Sequence, residues 1–326
     1  MPRMNSTDKS SNIMQFGKDT IAQAASFHQS NFLYRSEEFP GSKFLESLQA
    51  EVESGRVLFV ENQQSDTAIY YRHLPWDSEY FETPTYRIEF LASSRSRDSA
   101  IREYRLLLDR LIARMRSAHD RLYVFSEVPS QAIDPIQSLC LSGWKMVETR
   151  LMYYNDALQR YDYPHRFPVR AASLDDIPNL REVASSARNN FDRFHSDCFF
   201  SLEIADEFLA TFVENSVKGF ADVTLVPDLD ANEPGAFLTG NFVAPTEAPP
   251  DAKIAKMVLS AVGGKRRGWY VKLISEMSYF FKDRGIDACY MATQSTNKAV
   301  IRTWEKLGYS YGKSSHVFAY ASEGTK

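Results

Sequence analysis

The sequence predicts a mixed α/β fold built from two related modules, each a mixed sheet flanked by helices. Short apolar strands alternate with helices of 3.6-residue period along most of the chain. Several strands come in succession before the crossover helices, which indicates a mixed rather than a parallel sheet. Residues 121–154 also fall on residues 286–319 at a constant offset of 165, so that strand, loop, helix, glycine-aromatic turn and strand coincide.

Length and composition set the class of protein. A chain of 326 residues favours about two domains, and 44% hydrophobic with 25% charged residues is ordinary for a globular protein. The net charge of -4 gives no general basic field for nucleic acid, so any anion site has to be local. The N-terminus lacks the apolar core of a signal peptide, and no stretch approaches the roughly 20 apolar residues of a membrane span. We expect a cytoplasmic protein without nucleic-acid or membrane partners. The sequence leaves open whether it forms a homodimer.

The three cysteines predict no metal site. Cys140, Cys198 and Cys289 are far apart and lack the spacing of metal ligands. Each lies beside apolar residues, which favours reduced, packed side chains.

The first module follows an N-terminal extension, residues 1–65. Residues 1–20 have a disordered composition, and helices are predicted within 21–60, most clearly at FLESLQAEV. A strand at GRVLFVEN ends the extension. The elements predicted after it are strands at AIYYRH and TYRIEFLAS, a helix over SAIREYRLLLDRLIARMRSAHD, a strand at RLYVFSEV, a helix at DPIQSLCLSG and a strand at WKMVETRLMYYN. These patterns define a module over residues 66–160.

The second module, residues 161–326, begins at YDYPHRFPVRA, which has two prolines and no sustained period and is therefore the best linker. The elements predicted after it are helices at SLDDIPNLREVASSA and SLEIADEFLATFVENSV, strands at ADVTLVPD, GAFLTGNFVAP and AKIAKMVLSAV, a helix at WYVKLISEMSYFFKDRG, a strand at DACYMATQ, a helix at NKAVIRTWEKLG and a final strand at YSYGKSSHVFAYA.

The stretch VGGKRRGWYVKL, residues 262–273, has the context of an anion site. It follows a strand and opens a helix, where backbone amides and the positive end of the helix dipole attract phosphate. Lys265, Arg266 and Arg267 add charges that suit phosphate groups, although a solvated basic turn is the alternative. The matching position of the first module is read as RDSAIRE, which has no glycine. That module is therefore predicted to be degenerate, a structural half.

This stretch and a later one resemble the motifs of the GNAT acyltransferase superfamily. The first of that family's motifs is Gln or Arg, two residues, Gly, one residue, then Gly or Ala, and residues 265–270 occupy this register. The second motif matches Asn297, Ala299 and the pair Gly308-Tyr309. The resemblance implies an N-acetyltransferase that uses acetyl-CoA or another acyl-CoA and no metal. The coenzyme-binding residues that it implies are Leu259, Ala261, Val262, Lys265, Arg266, Arg267, Gly268, Trp269, Tyr270 and Asn297.

Beyond residue 65, the chain is similar to a narrower family. The segments WDSEYF, GWKMVE, FDRFHSD, FVENSVKGFAD and ATQSTNKA resemble dTDP-fucosamine (dTDP-4-amino-4,6-dideoxygalactose) N-acetyltransferases. This implies an acceptor amino group on a nucleotide-linked amino sugar, which attacks the thioester directly in a cleft between the modules. Two alternatives stay open: a GNAT enzyme for a small amine, amino acid or peptide, and a catalytically silent acyl-CoA-binding module.

The loop over residues 192–197 holds the candidate acceptor-site residues. An amine must lose a proton before it attacks a thioester; His195 titrates in a useful range, and Asp197 can orient or replace it. Arg193 is predicted to meet the substrate phosphate and Phe194 to close the pocket. For His195, the alternative is a side chain on a surface loop without catalytic function. For the WDSEYF stretch, the alternative is a packed interface between domains.

Two positions depart from the GNAT pattern. Tyr270 stands where the family has a small residue, and its bulk is expected either to narrow the phosphate site or to shift coenzyme binding. Trp304 stands where the family often has a tyrosine that acts as general acid, and an indole N–H does not release a proton in such chemistry. Solvent, Tyr309, Tyr311 and His316 are the alternative proton donors.

Overall fold

The computed structural model describes residues 18–34, 38–229, 233–249 and 252–323. Of the residues predicted to be disordered, 1–17 lie outside the described residues, and 18–20 belong to the first helix. The helices of the described residues are α1 Lys18–Phe27, α2 Glu38–Glu53, α3 Pro75–Tyr80, α4 Arg97–Ala118, α5 Ile133–Leu141, α6 Ile177–Ser186, α7 Arg193–Ser196, α8 Leu202–Asn215, α9 Trp269–Lys282 and α10 Lys298–Lys306. The strands are β1 Leu58–Asn62, β2 Thr67–His73, β3 Thr85–Ser93, β4 Leu122–Pro129, β5 Lys145–Asn155, β6 Val169–Ala171, β7 Val223–Pro227, β8 Ala236–Phe242, β9 Ile254–Val262, β10 Ala288–Gln294 and β11 Ser310–Ser322.

All of these strands form one mixed sheet in the order β1-β2-β3-β4-β11-β5-β10-β9-β8-β7-β6. The two halves of the chain exchange their last strands: β11 lies between β4 and β5, and β5 lies between β11 and β10. The repeat is visible in the element bounds, because the offset of 165 places α5 on α10 with the same two ends. The predicted α/β fold is confirmed, and its central strands belong to both halves.

Each half contains a fork between two parallel strands. In the first half, β3 and β4 pair from Thr85–Tyr123 to Ile88–Ser126 and then part. In the second half, β9 and β10 pair only from Ile254–Ala288 to Lys256–Tyr290. Beyond these points the facing edges of the strands have no strand partner, and each fork is a place where another molecule or segment can enter.

Helix α1 occupies the first fork. It packs on β3 and β4, with Phe27 and Ala24 in the core and the Gln23 amide donating to Ser93 O at 3.2 Å. The loop that corresponds to the predicted phosphate site is Ser94–Ser96, whereas RDSAIRE lies within α4. That alignment was wrong because the constant offset holds only from β4 onward. Helix α1 thus takes up part of the first fork, and a cavity of about 400 Å³ remains between α1, Leu91 of β3 and the start of α5.

Several local predictions change. The proline-containing segment after β2, for which no helix is predicted, forms helix α3, because Pro75 suits a first helical turn. Helix α3 packs across the two halves, with Trp76 and Tyr80 both 5.3 Å from the Phe208 ring. The packed-interface interpretation of WDSEYF is therefore confirmed. The cysteines are free thiols as predicted, but Cys140 and Cys198 are exposed.

None of the described helices is both long and apolar enough to cross a bilayer.

Candidate functional site

The second fork opens into a cavity of about 520 Å³, which we call the slot. Its two strand walls are Met257–Val262 of β9 and Met291–Gln294 of β10, and helix α10 closes one side. The outer edge of β9 pairs with β8 and that of β10 with β5, so the edges that face the slot stay without a strand. Unpaired strand edges offer alternating N–H and C=O groups to an extended polar chain.

A β-bulge shapes the middle of the slot wall. The register of β8 with β9 shifts between Leu238 and Gly240, so that Thr239 opposes two residues of β9. Leu259 N–H donates to Thr239 Oγ1 at 2.9 Å, and the hydroxyl donates to Leu259 O at 3.2 Å. The amide of Leu259 is therefore already used and is not free to stabilise an oxyanion in the slot.

The loop from Gly263 to Gly268 connects the slot to the start of α9. Gly263 N–H donates to Gly235 O at 2.9 Å and ties the loop to β8. Gly268 has φ +84° with open space where a Cβ would be, and α9 begins at the next residue. This left-handed residue turns the chain so that the amides of the first turn of α9, which have no acceptor within the helix, face the loop. The strand-loop-helix context of an anion site is present.

Two of the three basic side chains of this loop are available for an anion. Lys265 and Arg267 are exposed, and their side chains make no hydrogen bond or ion pair with the described residues. Arg266 instead donates from Nε to Pro234 O at 2.9 Å and from Nη2 to Glu233 O at 3.1 Å. The Arg266 guanidinium therefore anchors the loop that precedes β8.

We expect Gly268→Val to weaken acetyl-CoA binding about tenfold, which equals about 1.4 kcal/mol. A side chain at positive φ is strained by roughly 1–2 kcal/mol, and the loop has to shift to relieve it. Gly285→Val is the matched control, because Gly285 has φ +69° and open space at the other end of α9. Calorimetric titration should show weaker binding only for the Gly268 variant. Equal affinity in both variants would contradict a role of the loop.

The two residues that depart from the GNAT pattern contact each other. Trp304 Nε1–H donates to Tyr270 Oη at 2.8 Å, and a further hydrogen bond joins the Tyr270 hydroxyl to Ser260 of β9. All three residues line the slot, so the hydroxyl lies between β9 and α10. Burial raises the pKa of Tyr270, which keeps the phenol protonated at neutral pH. In the sequence the two departures look independent, whereas in the structure the two side chains form one hydrogen-bonded pair.

The other predicted coenzyme contacts have different surroundings. Asn297 lines the slot and caps α10, with Oδ1 accepting from Val300 N at 3.5 Å. Ala261 and Val262 line the slot near its mouth. The Trp269 side chain is 6% exposed within the core, so only its backbone amide remains as a contact.

None of the alternative proton donors lines the slot. Tyr309 is buried beneath α9, where its hydroxyl hydrogen-bonds Ser278 Oγ at 2.7 Å. Tyr311 is 52% exposed and packs edge-on against Tyr153. His316 lies between two hydroxyls, with Ser130 Oγ 3.2 Å from Nε2 and Thr149 Oγ1 3.0 Å from Nδ1.

A second cavity of about 570 Å³, which we call the cleft, crosses the centre of the sheet. Its floor comes from strands of both halves, and the end of α1, helix α2 and the α7 region form its walls. Arg150 of β5 and Arg193 of α7 line both the cleft and the slot. A molecule in the cleft thus lies next to a molecule in the slot.

Charged side chains line this floor in ion pairs. Arg87 binds both oxygens of Glu89, at 2.8 and 3.0 Å, and Arg150 binds both oxygens of Glu148, at 2.8 and 2.7 Å. Arg150 also donates to Glu127 Oε2 at 2.9 Å. Although burial opposes it, Arg150 lowers the pKa of Glu127, so this carboxylate stays ionised.

A buried lysine also lines the cleft. Lys313 donates to Ser26 O at 3.1 Å and to His28 O at 2.6 Å. Burial lowers the pKa of Lys313 to about 8. Sequence reasoning missed both Lys313 and the ion pairs, although charged residues inside otherwise apolar central strands were the available signal.

The residues of the predicted acceptor loop have two kinds of surroundings: two of them line the slot, and two are buried in the core. Arg193 and Phe194 line the slot, and Phe194 packs 4.2 Å from the Phe208 ring. The Asp197 side chain is 0% exposed and accepts from Lys145 Nζ at 2.8 Å and from Tyr123 Oη at 3.2 Å. The His195 side chain is also 0% exposed. Neither His195 nor Asp197 lines the slot or the cleft, so the geometry supports positioning of the loop by these two residues.

His195 is held between two carboxylates. Its Nδ1 lies 2.8 Å from Asp192 Oδ2, and its Nε2 lies 3.1 Å from Asp206 Oδ1. Burial lowers the pKa of His195, but Asp192 and Asp206 outweigh this and raise it above 6.5. The imidazole therefore links α7 to α8 and holds its proton more tightly than a free histidine does.

We expect the stabilisation from His195 to be complete below pH 6.5 and to be lost as the pH rises through the folded-state pKa. The sign follows because the folded protein holds this proton more tightly than the unfolded chain does. Urea unfolding of the wild type and His195→Gln at a series of pH values tests this. The difference in free energy of unfolding should shrink above pH 6.5; a constant difference would speak against the charged pair.

Comparisons with known proteins identify the fold. No protein-family model and no curated protein matches the chain. A GCN5-related N-acetyltransferase from Sphaerobacter thermophilus is 12% identical with a TM-score of 0.55, and the match covers 93% of this chain and 91% of that one. One from Kribbella flavida is 13% identical with a TM-score of 0.52, covering 85% and 94%.

A third solved structure matches part of a longer chain. It is described as a GCN5-related glucosamine N-acetyltransferase region in a fungal multi-domain GH3 β-N-acetylglucosaminidase. It is 14% identical with a TM-score of 0.54, and the match covers 78% of this chain and 31% of that one. The chain therefore has the fold of GCN5-related N-acetyltransferases, with similarity over most of its length.

Proposed function

We propose that the protein is an acyl-CoA-dependent N-acyltransferase whose reaction takes place where the slot meets the cleft. The main support is the fork between β9 and β10, which leaves two strand edges unpaired and leads to a glycine-containing loop at a helix N-terminus. The cleft beside it gives an acceptor amine its own entry. In the reaction, the amine nitrogen bonds to the acyl carbon, the C–S bond breaks, the amine gives up a proton and the thiolate takes one up.

The slot suits the pantetheine arm of a coenzyme A thioester, which supplies an activated acyl group. The edges of β9 and β10 can pair with its amides, as an added strand pairs with a sheet. Lys265, Arg267 and the first amides of α9 are the groups that would bind the diphosphate. Asn297, at the start of α10, lines the same slot.

Tyr270 is the candidate donor to the leaving sulfur. An indole N–H is only a donor, so the Tyr270 oxygen accepts from Trp304 and keeps its own proton for another acceptor. That proton is available to a molecule in the slot, which Tyr270 lines. A phenol hydrogen bond stabilises negative charge that develops at sulfur, even where the proton itself comes from solvent.

The roles predicted for His195 and Asp197 stay predictions, and the cleft offers a different arrangement for the amine. Glu127 is ionised and its side chain is 28% exposed, so it suits an incoming ammonium group better than it suits proton removal. Proton loss to solvent then precedes attack. The finer assignment, a nucleotide-linked amino sugar, rests on the resemblance of five sequence segments.

Mass spectrometry of acylated products tests the proposal. The protein is incubated with acetyl-CoA and a panel of amino acids, small amines and dTDP-linked amino sugars, and free thiol release is measured in parallel. We expect acetylation of at least one amine with matching release of thiol. Coenzyme binding without turnover of any amine would favour a silent binding module.

A further inference from the structure

Arg193 is a buried cation that lacks a close counter-charge. Its side chain is 8% exposed, and its nearest carboxylate contact joins Nη2 to Asp77 Oδ2 at 3.7 Å. Its Nη1 has no hydrogen-bond partner within the described part of the chain. Burial lowers the pKa of Arg193, which reflects the cost of keeping this charge away from water.

The surroundings hold this guanidinium in place. It lies 3.7 Å from the centre of the Phe125 ring and 4.3 Å from that of Phe194. The backbone N–H of the same residue donates to Glu148 Oε2 at 3.2 Å. A fixed guanidinium between two aromatic faces leaves one edge for an incoming planar anion.

The other arginines of the cleft do not share this property. Arg87 and Arg150 each bind a glutamate through two hydrogen bonds. One free guanidinium edge presents parallel N–H donors, which match the two oxygens of a single carboxylate. Because Arg193 lines both cavities, a carboxylate bound there keeps its molecule beside the slot.

We propose that the acceptor is an amine that also carries a carboxylate, and that Arg193 binds this carboxylate in the cleft. This inference rests on the proposed N-acyltransferase function and narrows its acceptor to amino carboxylates. Glu127, with its ionised side chain, lies on the same floor for the ammonium group. The cleft therefore offers opposite charges to the two ends of one acceptor.

Matched pairs of acceptors test the proposal. The kcat/KM for acetyl transfer is compared between L-amino acids and their carboxamides, with dTDP-linked amino sugars as a separate arm. A charge-assisted hydrogen bond predicts a preference of about 10- to 100-fold for the acid in the wild type. Arg193→Gln should reduce this ratio to near one, and Arg193→Lys should keep part of it. The ratio does not depend on the fraction of folded enzyme.

Arg110→Gln is the control, since Arg110 is exposed on α4 and lines neither the cleft nor the slot. It should leave the preference unchanged. Equal use of acid and carboxamide by the wild type would overturn the proposal, as would a preference that survives in Arg193→Gln. Acetylation of amino sugar nucleotides without any amino carboxylate would also overturn it. These results leave the N-acyltransferase function standing, whereas absent acetyl-CoA binding contradicts that function itself.

Discussion

Ala292→Trp is expected to lower acetyl-CoA affinity more than 100-fold, a loss of about 2.7 kcal/mol or more. Ala292 is exposed and lines the slot on β10, opposite Met152 of β5. An indole at this position fills the space between the two parted strands, where the proposed pantetheine arm pairs. Because the alanine is not packed in the core, the midpoint of thermal unfolding should change little.

The same position provides its own control. Ala292→Ser adds one oxygen and should bind acetyl-CoA nearly as well as the wild type, and Ala292→Leu should lie between the two. Calorimetric titration of the three variants gives a series in side-chain volume. Wild-type affinity in Ala292→Trp would place the coenzyme somewhere other than the slot.

Tyr270→Phe is expected to lower kcat about 100-fold, because removal of one preorganised donor to a developing negative charge commonly costs this much. The KM for acetyl-CoA should change little, since the aromatic ring keeps its place in the slot wall. The variant also leaves the Trp304 N–H, on a side chain that is 2% exposed, without its partner. We expect a loss of about 1–3 kcal/mol in the free energy of unfolding from this group.

Trp304→Phe separates the two effects. It removes the indole donor and leaves the Tyr270 hydroxyl, so it should lower stability with a much smaller change in kcat. Steady-state kinetics and urea unfolding of both variants provide the comparison. If the two substitutions lower kcat equally, Tyr270 acts through packing and is not the donor to sulfur.

The periodic elements could be predicted from the sequence because local pattern determines them. Strand β3 follows the predicted bounds, and α5 and α10 coincide under the repeat offset. The strand-loop-helix arrangement around Gly268 was also available, since it depends on three consecutive local elements. The coenzyme contacts at Leu259, Ala261 and Val262 were implied by the resemblance, whereas no periodic pattern marks the point where two parallel strands part.

The pairing of strands far apart in the sequence could not be predicted from local patterns. No local pattern shows that β11 lies between β4 and β5, or that α1 packs into the first fork. The contact between Tyr270 and Trp304 joins residues 34 apart in sequence, so each looked like an isolated departure. His195 and Asp197 carry useful chemistry by residue type, but only the packing of α7 shows that their side chains are buried.

The most direct test of the central claim is the stoichiometry of acetyl-CoA binding by isothermal titration calorimetry. The second fork opens into the slot, whereas α1 packs into the first fork, so we predict one coenzyme per chain in the wild type and no detectable binding in Ala292→Trp. Two equivalents per chain would contradict the role of α1. Absent binding in the wild type, or binding that survives in Ala292→Trp, would contradict the slot as the acyl-CoA site.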